Sequence, residues 1–134
     1  MASGVIPHLT VDNASAAIEF YKKGLGAKEL ARHPAEDGKR LMHATIEVNG
    51  ATVFLNDDFP DMCGGKSKTP KAIGGTPITL HLDVPNCDAA VKRAVDAGAK
   101  CTLEPFDAFW GMRYAQIVDP YGHEWAIAHA LPQK

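Results

Sequence analysis

A predicted β-hairpin near the end of the chain holds both tryptophans and decides how the rest is interpreted. Its sequence is Phe109-Trp110-Gly111-Met112-Arg113-Tyr114-Ala115-Gln116-Ile117-Val118-Asp119-Pro120-Tyr121-Gly122-His123-Glu124-Trp125. Residues 119–122 have the composition of a tight turn, because proline presets φ at the second position and glycine suits the fourth. The flanking residues 114–118 and 123–129 alternate with a period of two, which predicts two strands. So many aromatic and polar side chains in one hairpin indicate the wall of a binding site.

The composition is that of one ordinary globular domain. The chain has 134 residues, of which 46% are hydrophobic and 22% are charged, and its formal net charge is −2. This charge gives no electrostatic reason to expect a nucleic acid or an anionic membrane as partner. Residues 1–5 do not resemble a signal peptide, and no stretch approaches the roughly 20 apolar residues of a membrane span. The odd number of cysteines, three, favours a reducing compartment, so we predict a cytoplasmic location.

The first half of the chain predicts a strand, a helix and three more strands. Residues 5–11 alternate as a strand, and Asn13 is placed to cap the helix that follows. That helix has one apolar stripe, formed by Ala14, Ala17, Ile18, Tyr21 and Leu25. The further strands are predicted at residues 27–33, 41–48 and 51–56, the last two joined by Asn49-Gly50. In the strand at 41–48, we expect Met42, Ala44, Ile46 and Val48 on the apolar face.

The same order of elements begins again at residue 77. Residues 78–84 alternate, Asn86 is placed to cap a second helix, and strands are predicted near residues 100–106, 113–118 and 123–129. Short sequences also correspond, since His8-Leu9-Thr10-Val11-Asp12-Asn13 aligns with His81-Leu82-Asp83-Val84-Pro85-Asn86. The sequence therefore predicts an α+β fold made of two βαβββ modules, at about residues 5–57 and 77–130. Residues 58–76 have no periodicity and are predicted to be a long surface loop.

The face of each predicted sheet opposite the helices carries an unusual set of polar side chains. They are His8, Thr10, His43, Thr45, Glu47, Thr79, His81, Asp83, Tyr114, Gln116 and Glu124. An antiparallel sheet can leave one face to water, but solvation alone does not require such chemically varied residues. We therefore predict a pocket for a small polar molecule on this side. Trp125 alternates onto the helix side and is predicted to lie in the core.

The repeat and the hairpin together resemble the vicinal oxygen chelate superfamily, which includes glyoxalase, bleomycin-resistance and extradiol-dioxygenase proteins. Within it, the chain resembles the glyoxalase-like, PhnB-like branch. The segments that carry the resemblance are Pro7-His8-Leu9-Thr10-Val11, Ala17-Ile18-Glu19-Phe20-Tyr21, Leu80-His81-Leu82-Asp83-Val84, Ala97-Gly98-Ala99-Lys100, Phe109-Trp110-Gly111, Arg113-Tyr114 and Asp119-Pro120-Tyr121-Gly122-His123-Glu124-Trp125. The resemblance implies two βαβββ modules that form cupped mixed sheets, usually in homodimers, with the sites inside the cupped sheets.

The metal ligands that this resemblance implies are absent from their expected places. Metal-dependent members take His or Gln from the first strand of a module and Glu from the last, and the corresponding residues here are Ile6, Thr79 and Ala126. We therefore assign no metal ligands. A divalent metal held by His8, His81 and Glu124 stays open, because each lies two residues from an expected place and on the same face. The alternatives for the two histidines are hydrogen bonding, a core position, or direct acid–base work.

The candidate site residues fall into two groups. Glu124 and His81 are the predicted catalytic residues, as acid–base groups. The predicted substrate-binding residues are His8, His43, Trp110, Arg113, Tyr114 and Gln116. Arg113 would clamp a carboxylate or phosphonate, or alternatively pair with Glu124, Asp107 or Asp119. Trp110 and Tyr114 would form a wall for a planar ligand, with core or subunit packing as the alternative for Trp110.

Three functions are compatible with these residues and the resemblance. The first is a glyoxalase-like enzyme, a lyase, isomerase or dioxygenase that acts on a small oxygenated metabolite. The second is a bleomycin-resistance-type protein that sequesters a planar or cationic compound without turnover. The third is an accessory protein in phosphonate metabolism. All three predict a small-molecule ligand and a homodimer, and none involves a nucleic acid or a membrane.

Overall fold

A computed structural model describes residues 4–132, which form two four-stranded mixed sheets. The first half contains β1 His8–Val11, α1 Ala14–Leu25, β2 Lys28–Pro34, β3 Leu41–Val48 and β4 Ala51–Asp57. After a connecting helix α2, Pro70–Ile73, the second half contains β5 Thr79–Asp83, α3 Cys87–Ala97, β6 Lys100–Asp107, β7 Met112–Val118 and β8 Glu124–Ala130. The sheet orders are β1-β4-β3-β2 and β5-β8-β7-β6, in which β1–β4 and β5–β8 are parallel. This equivalence confirms the predicted α+β fold of repeated βαβββ units.

Both long helices begin at the predicted asparagines. The Asn13 side chain accepts a hydrogen bond from the backbone N–H of Ala16 at 3.1 Å, and Asn86 accepts one from Ala89 at 3.0 Å. The predicted stripe of α1 is fully buried, and it joins the inner faces of both sheets in one continuous core. Burial of this stripe, rather than helix propensity, is what fixes the helix against the sheets.

A residue at the end of the last strand of each module supplies a second helix cap. Asp57, at the end of β4, accepts from the backbone N–H of Ala14 at 2.8 Å and from that of Leu41 at 2.7 Å. At the corresponding place on β8, His129 Nδ1 accepts from the backbone N–H of Cys87 at 2.7 Å. In each repeat, a side chain on the sheet therefore accepts a hydrogen bond from an otherwise free N–H at the start of the helix. The acceptor is a carboxylate in the first repeat and an imidazole in the second.

The hairpin turn of each module reaches the first strand of the other module. Asn49, in the β3–β4 turn, donates from Nδ2 to the carbonyl of Asp83 at 2.7 Å. His123, after the β7–β8 turn, lies with Nε2 2.8 Å from the carbonyl of Thr10, to which it donates. Thr10 and Asp83 occupy equivalent positions in the two repeats, so these contacts tie the modules together in a nearly symmetrical way.

One local prediction was wrong. Pairing between β2 and β3 shifts from His33–His43 to Pro34–Leu41, which indicates a bulge on β3. The bulge buries Leu41 and leaves Met42 44% exposed, so Met42 does not lie on the core face. Within the segment 58–76, which was predicted to be a long surface loop, the structure has a 3₁₀ turn at Pro60–Met62 and the short helix α2. Among residues 4–132, no helix has both the length and the apolar character needed to cross a membrane.

Candidate functional site

Each sheet packs one face against the helices, and we call the opposite side its polar face. Alternation along the strands defines these faces, because Leu9, Val11, Ile117 and Ile127 are buried in the core and their strand neighbours point the other way. The first polar face carries His8, Thr10, His43, Thr45, Phe54 and Asn56, and the second carries His81, Tyr114, Gln116 and Glu124. The predicted site residues therefore divide between two sheets.

Three aromatic side chains, Phe106, Trp110 and Tyr114, form what we call the aromatic wall of the second polar face. The ring centroids of Trp110 and Tyr114 are 5.4 Å apart, and Phe106 lies 6.2 Å from Tyr114 and 6.4 Å from Trp110, all in edge-to-face contact. Edge-to-face packing of this kind stabilises the cluster itself. Nevertheless, Trp110 is 52% exposed and Phe106 is 38% exposed. The wall thus presents a preformed aromatic surface to solvent.

Strand pairing and a tight turn position the wall. Phe106 of β6 is paired with Tyr114 of β7, which places their rings side by side on one face. Between these strands the backbone N–H of Gly111 donates to the carbonyl of Ala108 at 3.1 Å, closing the turn that carries Trp110. Gly111 has a φ of 91°, a conformation that glycine adopts without strain.

Polar groups lie beside the aromatic wall. Gln116 Nε2 donates to the Tyr114 hydroxyl at 3.0 Å, and the His81 ring lies 6.3 Å from the Tyr114 ring. His81 Nε2 is also 3.0 Å from a carboxylate oxygen of Asp83. Glu124 is half-buried on the adjacent strand β8, where it pairs with Thr79 and Val118, so it lies four residues, roughly 13 Å, along the strand from the position next to Tyr114. Glu124 and His81 share one face but are offset by two residues, roughly 6–7 Å along the strand. Within residues 4–132, no contact between the two side chains tests their predicted acid–base roles, which stay predictions.

The first polar face carries a cluster of three histidines. The centroid of the His43 ring is 5.6 Å from that of His8, 6.0 Å from that of His33 and 4.7 Å from the Phe54 ring. Burial lowers the pKa of His43, and the neighbouring His8 and His33 lower it further because like charges repel. Sequence reasoning identified His8 and His43 but missed His33. The pairing of β2 with β3 places His33 opposite His43, so the predicted neighbouring strands were the signal that could have identified His33.

The residues do not fit a metal site of the kind that the superfamily resemblance implies. Among residues 4–132, no group of three or more His, Cys, Asp or Glu side chains is arranged to hold a metal ion. His8 lies on the first sheet, whereas His81 and Glu124 lie on the second, and one chain does not bring the three together. The places at which family ligands are expected hold Ile6, Thr79 and Ala126, which lack suitable donors.

Arg113 lies on the helix side of β7 rather than on the polar face. Its Nε and Nη2 donate to both carboxylate oxygens of Asp88 at 2.9 Å, and its Nη1 donates to Asp107 at 3.0 Å. These hydrogen bonds raise the pKa of Arg113 further above its ordinary value. The predicted alternative of a pair with Asp107 is present, and Asp88 was missed. Because Arg113 shares its face with the buried Ala115, strand parity already favoured this side.

Trp125 is buried, as predicted, and belongs to a hydrogen-bonded network. One oxygen of Asp119 accepts from Trp125 Nε1 at 2.9 Å and from the Tyr21 hydroxyl at 2.6 Å. The other oxygen accepts from the backbone N–H groups of Tyr121 and His123. Burial, and then the Asp119 carboxylate, raise the pKa of Tyr21 well above its ordinary value. Asp119 therefore joins the turn to α1 and has a structural role.

Two repeated βαβββ units, each with one sheet face packed on the helices and an opposite polar face, define the class of fold to which this chain belongs. The match to a protein-family model supports this assignment of the fold. The model described as Glyoxalase/Bleomycin resistance protein/Dioxygenase superfamily matches residues 5–127, and the chain belongs to that superfamily. An uncharacterised protein of Mycobacterium bovis is 53% identical over 125 residues, which is 93% of this chain and 82% of that protein.

Solved structures with the same fold cover nearly the whole chain. TioX from Micromonospora sp. ML1 superposes with a TM-score of 0.71 at 23% identity, over 98% of this chain and 99% of that chain. A gene product of Arabidopsis thaliana gives a TM-score of 0.73 at 24% identity, over 96% of this chain and 99% of that chain. At these identities the likeness shows the fold, and the function has to be argued from the site.

Proposed function

We propose that this protein binds a planar organic molecule against the aromatic wall of Phe106, Trp110 and Tyr114. The observation that carries the proposal is the half-exposed state of Trp110 and Phe106 in a cluster already fixed by edge-to-face contacts. A preformed aromatic surface binds a flat ring without a large cost for ordering side chains. Stacking on such a surface contributes about 1–3 kcal/mol per ring.

The polar groups beside the wall favour a ligand with a positive charge or N–H donors. Asp83 is a carboxylate on this polar face, level with Tyr114 because Ala128 pairs with both, and the rings of Trp110 and Tyr114 attract cations through their faces. Arg113, which a phosphonate or other anion would require, is occupied by Asp88 and Asp107 on the opposite side. We therefore favour sequestration of a planar cation, the bleomycin-resistance-type function, over a role in phosphonate metabolism.

A glyoxalase-like or dioxygenase-like enzyme is the second candidate. The contact between His81 and Asp83 supports it, because a carboxylate that orients an imidazole is a common arrangement for acid–base work. Glu124 lies on the same face and would be the second proton-transfer group. Turnover of glutathione–methylglyoxal hemithioacetal or catechol that disappears in Glu124→Gln and in His81→Gln would support this candidate. Saturable ligand binding without such turnover supports sequestration.

We also propose a cytoplasmic homodimer of the PhnB-like branch. The superfamily resemblance supports the dimer, as does Phe109, which is 97% exposed and lies outside the aromatic wall, since a second copy would shield this ring. The three free cysteines are compatible with a reducing compartment. Sedimentation velocity of the wild type and of Phe109→Glu tests the dimer. A monomer at all concentrations would contradict it.

Calorimetric titration with 9-aminoacridine, a planar cation, tests the binding proposal. We expect saturable binding that weakens at least tenfold in Trp110→Ala, which corresponds to a loss of about 1.4 kcal/mol. Leu30→Ala is the matched control, because Leu30 is 57% exposed on the first module and its loss should leave binding unchanged. Acridine, which is uncharged at pH 7.5, should bind more weakly than 9-aminoacridine. Equal binding by the wild type and Trp110→Ala would contradict the proposal.

A further inference from the structure

The segment 58–76, which follows the first module, is held against it rather than free. Arg40 donates from Nη1 to Asp61 at 2.8 Å and from Nε to Asp37 at 2.7 Å. Its guanidinium also lies 4.2 Å from the centroid of the Phe59 ring, and Phe59 is buried. A planar cation stacked on a ring and paired with two carboxylates fixes the start of the segment.

A second set of contacts fixes the middle of the same segment. The Ser67 hydroxyl donates to one oxygen of Asp58, and the backbone N–H of Lys68 donates to the other at 3.2 Å. Thr69 is 5% exposed and caps α2 by accepting from the backbone N–H of Ala72 at 3.3 Å. The segment therefore has a defined shape, and the space beneath it is preformed.

That space is a cleft of about 470 Å³ between the segment and the first polar face. Its walls are mostly apolar and include Met42, Phe59, Met62 and Cys63, while His8 and Lys68 contribute polar groups. The volume and the mixture of apolar walls with a few polar groups match those of small-molecule sites. Met42 reaches the cleft only because of the β3 bulge, and methionines adapt well to varied ligands.

The cleft lining contains one carboxylate, that of Asp58, and one ammonium group, that of Lys68, and they differ in the partners they already have. Both oxygens of Asp58 already accept hydrogen bonds from Ser67 and Lys68. The Lys68 ammonium makes no ion pair within residues 4–132, so it is available to a ligand in the part of the chain described. His8 and the Thr10 hydroxyl add further hydrogen-bond donors.

We infer that this cleft binds a small apolar molecule that carries one carboxylate, with the apolar part between Met42 and Met62 and the carboxylate at Lys68. The site is separate from the aromatic wall, which lies on the other sheet. Within residues 4–132, the second sheet has no covering segment like 58–76, so the cleft is not a feature of the repeat. Either site can therefore fail a test without affecting the other.

Cysteine alkylation offers a direct test, because Cys63 lines the cleft and is partly exposed. The full chain is treated with iodoacetamide in the presence of 4-phenylbutyrate, and modification of each cysteine is followed by peptide mass spectrometry. We expect 4-phenylbutyrate to slow alkylation of Cys63 at least fivefold at saturation. Cys101, which is also partly exposed but lies on β6, should react at an unchanged rate. The neutral 4-phenylbutanol should protect Cys63 only at much higher concentration.

Two variants separate the parts of this inference. Lys68→Gln should abolish the preference for 4-phenylbutyrate over 4-phenylbutanol, whereas Lys66→Gln, in the same segment but outside the cleft lining, should not. Met42→Glu should remove protection by both compounds, and the exposed position of Met42 makes correct folding expected. Unchanged alkylation of Cys63 at saturating 4-phenylbutyrate would overturn the inference. Equal slowing of Cys63 and Cys101 would overturn it too, because it would indicate binding elsewhere.

Discussion

The two modules share one topology but carry different chemistry on their polar faces. The first face has three clustered histidines beside Phe54, and the segment 58–76 covers part of it. The second face has an open wall of Phe106, Trp110 and Tyr114. The core-facing residues of the two modules are similar, because each module must pack a helix against a sheet. The polar faces are free of that constraint, and there the two halves differ.

The modules also differ in how their hairpin turns are anchored. Asn49 makes one exposed hydrogen bond to Asp83, whereas Asp119 is 3% exposed and accepts four hydrogen bonds. The network of Asp119 includes Tyr21 from the first module, so the second turn supports both halves of the core. The asymmetry predicts that stability depends much more on one turn than on the other.

The largest effect is expected from Asp119→Ala. The substitution leaves the buried Tyr21 hydroxyl and Trp125 N–H without their acceptor, which costs about 3–4 kcal/mol of unfolding free energy. Urea denaturation followed by circular dichroism measures this change. Asn49→Gly, which removes the side chain but tolerates the positive φ of 47° at this position, should cost less than about 1.5 kcal/mol. Similar losses for the two variants would show that the turns are energetically equivalent, contrary to the structure.

A smaller difference is expected between the two residues that cap the helices from the sheets. Asp57 is buried and accepts two backbone N–H groups, so Asp57→Ala should cost about 2–3 kcal/mol. His129 is partly exposed and accepts one, so His129→Ala should cost about 1 kcal/mol. The same denaturation experiment compares them. A greater loss for His129→Ala would reverse the proposed order.

The smallest effect concerns the exposed turn that holds the covering segment. Backbone N–H groups of Arg40 and Lys39, and then the Arg40 side chain, lower the pKa of Asp37 to about 2. A lowered folded-state pKa means that the carboxylate favours the folded state above the unfolded value of 3.8, and this contribution is lost as the pH falls through about 2. Carbon-13 NMR of the Asp37 carboxyl should show a midpoint near 2. A midpoint near 3.8 would mean that the turn does not hold Arg40.

Most of the fold followed from periodicity and capping residues in the sequence. Asn13 and Asn86, the alternating strands and the 119–122 turn each depend on local rules that the structure obeys. Met42 was assigned to the wrong face because a bulge interrupts the strict alternation of β3. The sequence of residues 41–48 contains no signal that predicts this bulge. The defined shape of the segment 58–76 depends on contacts of Arg40, Phe59 and Asp58. These contacts join residues at no regular spacing, so no periodic pattern in the sequence predicts them.

The site was predictable only in part for a related reason. The alternation of residues along the strands placed His8, His81, Tyr114, Gln116 and Glu124 on polar faces. It does not show that these residues divide between two separate sheets. The exposed Phe106 joined the aromatic wall through cross-strand pairing, which the sequence of β6 did not reveal. Arg113 was assigned by its chemistry, although its parity with Ala115 already favoured the helix side.

The two indole N–H signals in a proton–nitrogen NMR spectrum report directly on whether a ligand binds at the wall of the second module. Trp110 lies on the exposed wall, whereas Trp125 is buried and donates to Asp119. On titration with 9-aminoacridine, we expect a large, saturable shift of the Trp110 indole signal and little change at Trp125. An unchanged Trp110 signal in the presence of bound 9-aminoacridine would contradict the claim that the second module's wall is the binding surface.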